Sequence, residues 1–138
     1  MDEFNKMQEI MELQGMHQQM EELSKQLEAL QEKQSAITIT LNAIKELQTT
    51  KKGTEILAPI ADGIFVKTTL ENNTTAIVNI GKGITVEKKL PEVLEMVQGH
   101  EVSIAENTRT IETKMQEIST ALLEKIAVLE MDQSNTEE

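Results

Sequence analysis

Apolar residues recur at alternating spacings of three and four along the first third of the chain. With Leu13 at heptad position a, the series falls at a and d positions, and Gln34 and Gln48 take two further a positions. The stretch is rich in Glu, Gln, Lys and Leu and has no proline, so the pattern predicts one long helix over 4–50 that pairs with a second helix. The apolar series is Leu13, Met16, Met20, Leu23, Leu27, Leu30, Ile37, Leu41 and Ile44.

Residues 54–90 carry a different pattern, in which β-branched residues dominate and Gly and Asn interrupt them. Lys51, Lys52 and Gly53, just before this segment, suit the C-terminal end of a helix, where cations and a left-handed glycine are favoured. The pattern predicts four short strands in two hairpins. Pro59 cannot donate to a strand ladder, so its strand is expected to lie at a sheet edge or to start late. The runs are 55–60, 64–70, 75–80 and 84–90, and the breaks are Ala61-Asp62-Gly63, Asn72-Asn73-Thr74 and Gly81-Lys82-Gly83.

The third segment, 91–131, is helical in pattern again. Pro91 suits the first position of a helix, because its fixed φ fits there and no intrahelical donor is needed. Polar residues interrupt the seam at Glu101, Thr108 and Lys125, so we expect the tightest packing in its middle and at 115–122. Residues 132–138 form a polar tail that is expected to fray. The seam is Leu94, Val97, Ile104, Ile111, Met115, Ile118, Leu122 and Leu129.

These lengths predict an α+β protein, mostly α, with two helices joined by a short β segment. Each helix has an apolar stripe to bury, so the chain is expected to fold back into a long antiparallel two-helix coiled coil. The domains are then 1–52 for the first helix, 53–90 for the hairpins, 91–131 for the second helix and 132–138 for the tail. Four short strands alone are only marginally stable and expose their edges, which favours assembly with other β segments.

Composition narrows the possible functions. The chain has no Cys, Trp or Tyr, two Phe and eight Met, and its formal net charge is -11. The missing cysteines exclude disulfides and thiolate metal sites, and the acidic balance disfavours nucleic acid and anionic membranes as partners. No nucleophile–base pair, metal cluster or cofactor motif stands out, so we expect no enzyme and no cofactor. The start lacks a signal-peptide pattern, and we expect a cytoplasmic protein.

The two ends of the chain hold more apolar residues than a two-stranded seam buries. Adjacent pairs such as Ile10-Met11 and Leu122-Leu123 cannot all face one partner helix. An exposed apolar patch marks an interaction site, so we expect the ends to bind other proteins. The alternative is that these residues widen the coiled-coil core or fray without a function. The residues concerned are Met7, Ile10, Met11, Leu13, Met16, Leu122, Leu123, Ile126, Val128, Leu129 and Met131.

Both hairpins resemble those of a known family. The run Ile56-Leu57-Ala58-Pro59-Ile60-Ala61-Asp62-Gly63-Ile64-Phe65-Val66-Lys67 resembles the first hairpin of the alpha class of prefoldin subunits, and Ile77-Val78-Asn79-Ile80-Gly81-Lys82-Gly83-Ile84-Thr85-Val86-Glu87-Lys88 resembles the second. The resemblance implies an archaeal-type chaperone hexamer of two alpha and four beta-class subunits on a β-barrel base. It further implies that the coiled-coil tips hold non-native protein without ATP and pass it to a group II chaperonin.

The resemblance also implies that the hairpins form the oligomerisation base. Two other functions stay open, a structural filament built through the β segments and a coiled-coil adaptor with one partner. Neither needs surplus Met and Leu at both chain ends, which favours the chaperone. The residues expected in the base are Ile56, Leu57, Ile60, Ile64, Val66, Leu70, Ile77, Val78, Ile80, Ile84 and Val86.

Overall fold

The computed structural model describes residues 2–136, with side chains for 2–131. It confirms the predicted fold class, since two long helices flank two antiparallel β-hairpins. The elements are α1 (Glu3–Thr49), β1 (Glu55–Ala61), β2 (Ile64–Thr69), β3 (Thr75–Gly81), β4 (Ile84–Lys89) and α2 (Leu90–Thr136).

The ends of the helices follow local chemistry. Asp2 caps α1, because its Oδ1 accepts a hydrogen bond from the Asn5 amide at 2.7 Å. Pro91 lies in the first turn of α2, as predicted. The predicted end of the second helix at 131 is wrong, since α2 continues to Thr136. Residues 132–136 contain no Gly or Pro to stop the helix, and the last two residues of the expected tail, 137 and 138, lie outside the described residues.

Contacts divide the chain into two compact units, and each helix contributes to both. We call residues 1–33 with 104–138 the terminal unit and residues 34–103 the hairpin unit. In the terminal unit the helices run antiparallel, and Leu23 faces the same groove as Ile118. The apolar a and d residues of this unit are half-buried, apart from the fully buried Leu122. In this unit the residues predicted at a and d positions are therefore the ones that pack between the two helices.

The tightest packing is in the hairpin unit, not at 115–122 as the sequence predicts. Leu41, Ile44, Leu90, Val93 and Val97 form a buried cluster, with Leu90 only 2% exposed. Ala76 and Val78 of β3 pack against this cluster. A strand therefore covers the helix pair here, whereas in the bare two-helix seam of the terminal unit most apolar side chains, other than Leu122, stay partly open to water.

Two seam positions in this unit differ from the prediction. Leu47, not Gln48, packs against the buried cluster, and Val93 is more deeply buried than the predicted Leu94. A straight helix drifts by roughly 20° per heptad from a strict seven-residue repeat, so the buried stripe shifts toward whichever neighbour is apolar. Leu47 and Val93 are those neighbours.

The two hairpins are copies of one another in register. Leu57 pairs with Lys67 in the first and Ile77 with Glu87 in the second, each twenty residues later. Both hairpins shift register just before the turn, between Pro59 and Ala61 and between Asn79 and Gly81. Each two-stranded sheet has only edge strands, which suits Pro59.

Gly53 does not cap α1, which ends at Thr49. Its φ is 88°, so it is left-handed as expected, but its amide donates to the Leu70 carbonyl at 2.7 Å and so belongs to the first hairpin. The linker between the hairpins is tied to the end of α1, because Asn73 Nδ2 donates to the Thr50 carbonyl at 3.0 Å.

Candidate functional site

Charged residues occupy the seam of the terminal unit where the two chain ends meet. Counting back by heptads from Leu13 places Lys6 at position a and Glu9 at position d, and both side chains are half-buried. On α2 the inward positions run through Leu122, Lys125 and Leu129, so Lys125 also takes a d position. Three inward positions of this segment, which a coiled coil normally fills with apolar residues, therefore carry charge, whereas Leu122 and Leu129 remain apolar.

The apolar residues of the same segment point outward. Those that flank the seam at e or g positions, Ile10, Ile126 and Val128, are 50%, 37% and 53% exposed. Those at b, c or f positions are more exposed, at 65–68%, as expected for the outer surface of the helix pair. They are Phe4, Met7, Met11, Leu123 and Met131. On α1 before Leu13 the amphipathic pattern is therefore inverted relative to the rest of the coiled coil.

Most of these outward residues share one side. In an antiparallel coiled coil the e positions of the two helices flank the seam on the same side, b lies next to e, and f lies beyond b at the outer surface of the helix. Ile10 and Ile126 are both at e positions. The resulting surface, which we call the terminal apolar face, consists of Phe4, Met7, Ile10 and Met11 of α1 with Leu123 and Ile126 of α2. Val128 and Met131, at g and c positions, lie on the opposite side.

Lys125 joins the two helices within this segment. Its Nζ donates to Glu9 Oε2 at 2.9 Å and also to Glu12 Oε2. The hydrogen bond from Lys125 to Glu12 is the main cause that raises the lysine pKa above its ordinary value, and the bond to Glu9 adds to it. We call these three residues the clasp. Glu12 is at position g, so the clasp leans away from the terminal apolar face.

The predicted binding residues at the chain ends thus separate into two groups. Leu13, Met16, Leu122 and Leu129 lie in the seam and offer little free surface. The other seven are exposed. Phe4, which is 68% exposed, is absent from the prediction because it precedes the first apolar heptad. Its spacing of three and seven residues from Met7 and Met11 is the signal that places it on the same face.

The residues predicted for the β base also have unequal exposure. Leu70 is buried within the chain, and Ile56, Val78 and Val86 are half-buried, so these four already have intramolecular contacts. The remaining seven are exposed, together with Phe65, which the sequence prediction omitted. The exposed set is Leu57, Ile60, Ile64, Phe65, Val66, Ile77, Ile80 and Ile84.

The described residues offer little for other chemistry. Within them, no group of three or more His, Cys, Asp or Glu side chains is placed to hold a metal ion. No helix among residues 2–136 is long and apolar enough to cross a membrane.

Comparison with known proteins decides the family. A family model described as prefoldin subunit matches residues 16–134. This chain belongs to the prefoldin family. Several relatives described as prefoldin subunit alpha place it in the alpha class, in agreement with its two hairpins. It is a prefoldin-type chaperone subunit and not an enzyme.

The prefoldin relatives are distant. The chain is 30% identical to prefoldin subunit alpha of Methanothrix thermoacetophila over 66% of this chain and 60% of that protein, so the match spans less than two thirds of the relative. It is 24% identical to prefoldin subunit alpha of Archaeoglobus fulgidus over 80% of this chain and 81% of that one. A solved structure of filamentous PFD from Methanocaldococcus jannaschii matches with a TM-score of 0.73 and 20% identity, covering 83% of this chain and 95% of that chain, and so shows the same fold.

Proposed function

We propose that this alpha-class subunit is an ATP-independent holdase that captures non-native protein on the terminal apolar face. The observation that carries the proposal is the inverted pattern at the start of α1, where it meets the end of α2. Charged side chains fill the seam at Lys6, Glu9 and Lys125, while large apolar side chains stay in water. Folding alone favours the reverse arrangement, so the exposed residues make sense as a binding surface.

The physical strength of one such face suits transient capture. Covering a Met, Ile or Phe side chain is worth about 1.5–3 kcal/mol relative to exposure. Part of that gain is lost in ordering the client, so one face binds weakly. Several faces held in one assembly bind the same chain with much higher avidity. This requirement for several copies links client capture to oligomerisation.

We place the oligomerisation surface on the hairpins. Leu57 and Phe65 of the first hairpin and Ile77 of the second are exposed, and Ile77 is 76% exposed. Each hairpin is a separate two-stranded sheet whose outer edges are open to pairing. The proposed assembly is a hexamer of two alpha and four beta-class subunits, in which the hairpins join a β-barrel.

The proposal extends to a group II chaperonin that receives the client in the cytoplasm of an archaeal-type cell. The formal net charge of -11 supports attraction to a chaperonin surface that carries Lys or Arg. Since surface charges are screened over about 8 Å at physiological salt, this docking should weaken as salt rises.

Holdase activity is tested by making the face polar. In Met7→Ser/Ile10→Ser/Met11→Ser, light scattering should show that much more complex is needed to keep diluted, denatured lysozyme from aggregating. Gln8→Ser/Gln14→Ser/Gln18→Ser, which changes exposed polar residues of the same helix, is the matched control and should behave as the unchanged chain. Full suppression by the face variant would remove the proposed client site.

A second function is favoured by one observation. The structural match described as filamentous PFD has this fold. Both hairpins of the present chain expose apolar side chains, and each is a two-stranded sheet with open edges. The alternative is therefore a structural filament of copies of this chain. Mass photometry of the isolated chain decides between them, because a filament grows with concentration while a subunit awaiting a partner stops at a small closed oligomer.

A further inference from the structure

The terminal part of α1 buries no apolar side chain in the seam. Its inward positions before Leu13 are Lys6 and Glu9, and its apolar residues face water. This segment is the end of a 47-residue helix, and a helix end that lacks packing frays in water. Some other contact must hold residues 3–12 against α2.

Lys125 of α2 supplies such a contact, because it binds two residues near the start of α1. It takes the seam position between Leu122 and Leu129 and reaches across to Glu9 and Glu12. The side chains of Lys125 and Glu9 are 26% and 33% exposed, so the pair is partly shielded from water. A charged pair therefore joins the two helices here, and the apolar side chains of α1 before Leu13 stay exposed.

We propose that Lys125 is a positioning residue for client capture, because the clasp keeps the two halves of the terminal apolar face side by side. This inference rests on the proposed holdase function. Phe4, Met7, Ile10 and Met11 come from α1, whereas Leu123 and Ile126 come from α2, so the face is continuous only while the ends stay paired. A preassembled surface binds more tightly than one that must be ordered by its client.

The placement of the clasp also explains why a lysine serves better than a leucine at 125. A leucine at this d position would remove the cation that Glu9 and Glu12 share. The long lysine side chain spans the seam toward Glu12 on the side opposite the terminal apolar face. The charges of the clasp itself thus lie away from the surface that meets the client.

The test compares full-length variants by hydrogen exchange and by aggregation of denatured lysozyme. In Lys125→Gln, the amides of residues 4–12 should exchange faster by about tenfold or more, and the concentration that half-suppresses aggregation should rise by at least about threefold. Glu9→Gln/Glu12→Gln should give the same two changes. Lys125→Arg should restore both readouts, and Lys114→Gln, an exposed lysine of the same helix, should alter neither.

Two results overturn the inference. One is Lys125→Gln with unchanged exchange at 4–12, which would mean that other contacts hold the ends. The other is faster exchange with unchanged suppression, which would mean that pairing of the ends is irrelevant to capture. The serine variant at Met7, Ile10 and Met11 is measured alongside. If it suppresses aggregation fully, the holdase site itself is wrong and the inference falls with it; if it fails while Lys125→Gln succeeds, only the clasp's role is wrong.

Discussion

Leu70 and Leu90 occupy equivalent places twenty residues apart, each directly after the second strand of a hairpin. The Leu70 amide donates to the Thr54 carbonyl at 2.8 Å, and the Leu90 amide donates to the Thr74 carbonyl at 2.9 Å. Both side chains are buried, yet only Leu90 belongs to the cluster that joins α1 and α2. The second hairpin thus packs on the chain's own core through Ala76 and Val78, although its Ile77 and Ile80 remain exposed.

This difference predicts unequal effects of the same substitution. Leu90→Ala should lower the free energy of unfolding by about 2–5 kcal/mol, because it leaves a cavity in a packed cluster. Leu70→Ala should cost clearly less, since Leu70 closes only one hairpin. Urea unfolding followed by circular dichroism measures both. An equal or larger loss from Leu70→Ala would contradict the assignment of the core.

Two glycines should respond in opposite directions to alanine. Gly83 has a φ of 75° in the turn between β3 and β4, so Gly83→Ala should destabilise the chain by about 1–2 kcal/mol. Gly99 lies within α2, and an added Cβ meets nothing within 4 Å, so Gly99→Ala should stabilise it by up to about 1 kcal/mol. Thermal unfolding of both variants checks the signs. A stabilising Gly83→Ala would be inconsistent with the turn.

Assembly should depend on the exposed apolar residues of the hairpins. Ile64 and Ile80 are each 57% exposed, so Ile64→Asp/Ile80→Asp should leave the chain folded but abolish its association. Thr113→Asp/Thr120→Asp, two exposed positions of α2, adds the same charge elsewhere and should leave association intact. Size-exclusion chromatography with light scattering reports the mass. A wild-type chain that is already monomeric at micromolar concentration would contradict the proposed base.

The clasp predicts a loss of stability in strong alkali. The folded-state pKa of Lys125 is raised above its ordinary value of 10.5, so its contribution is complete below that value and is lost as pH rises through the raised pKa. Hydrogen-exchange protection of residues 4–12, corrected for intrinsic rates, should therefore stay constant from about pH 7 to 9 and fall only beyond the ordinary lysine range. Lys125→Gln should lack this dependence. A fall already complete near neutrality would assign the effect to other groups.

The fold follows from the sequence to a large extent because its signals are local. The heptads of both helices, Pro91 at the start of α2 and the glycines of the two hairpin turns each act over a few residues. The prediction of the tightest packing was wrong because it depends on β3, whose Ala76 and Val78 cover the helix pair. A seam alone does not reveal which of its parts is covered by a third element.

The candidate site was harder to predict from the sequence than the fold. The surplus of apolar residues at the chain ends is visible, but Leu13 and Leu129 look the same there as Met7 and Leu123. Lys125 looks like a defect in the seam, because its partners Glu9 and Glu12 depend on how α1 and α2 are aligned. No local pattern fixes the alignment of residues more than a hundred positions apart, so the clasp required the structure.

Site-specific photo-crosslinking tests the central claim, client capture on the terminal apolar face, most directly. A photo-reactive residue is placed at Met11, at Leu123, at the exposed polar control Gln18 or at Leu57 of β1, and denatured lysozyme is diluted into each assembly. The account predicts strong client adducts from Met11 and Leu123 and few from Gln18 and Leu57. Adducts mainly from Leu57, with none from the two face positions, would contradict it and move client binding to the hairpins.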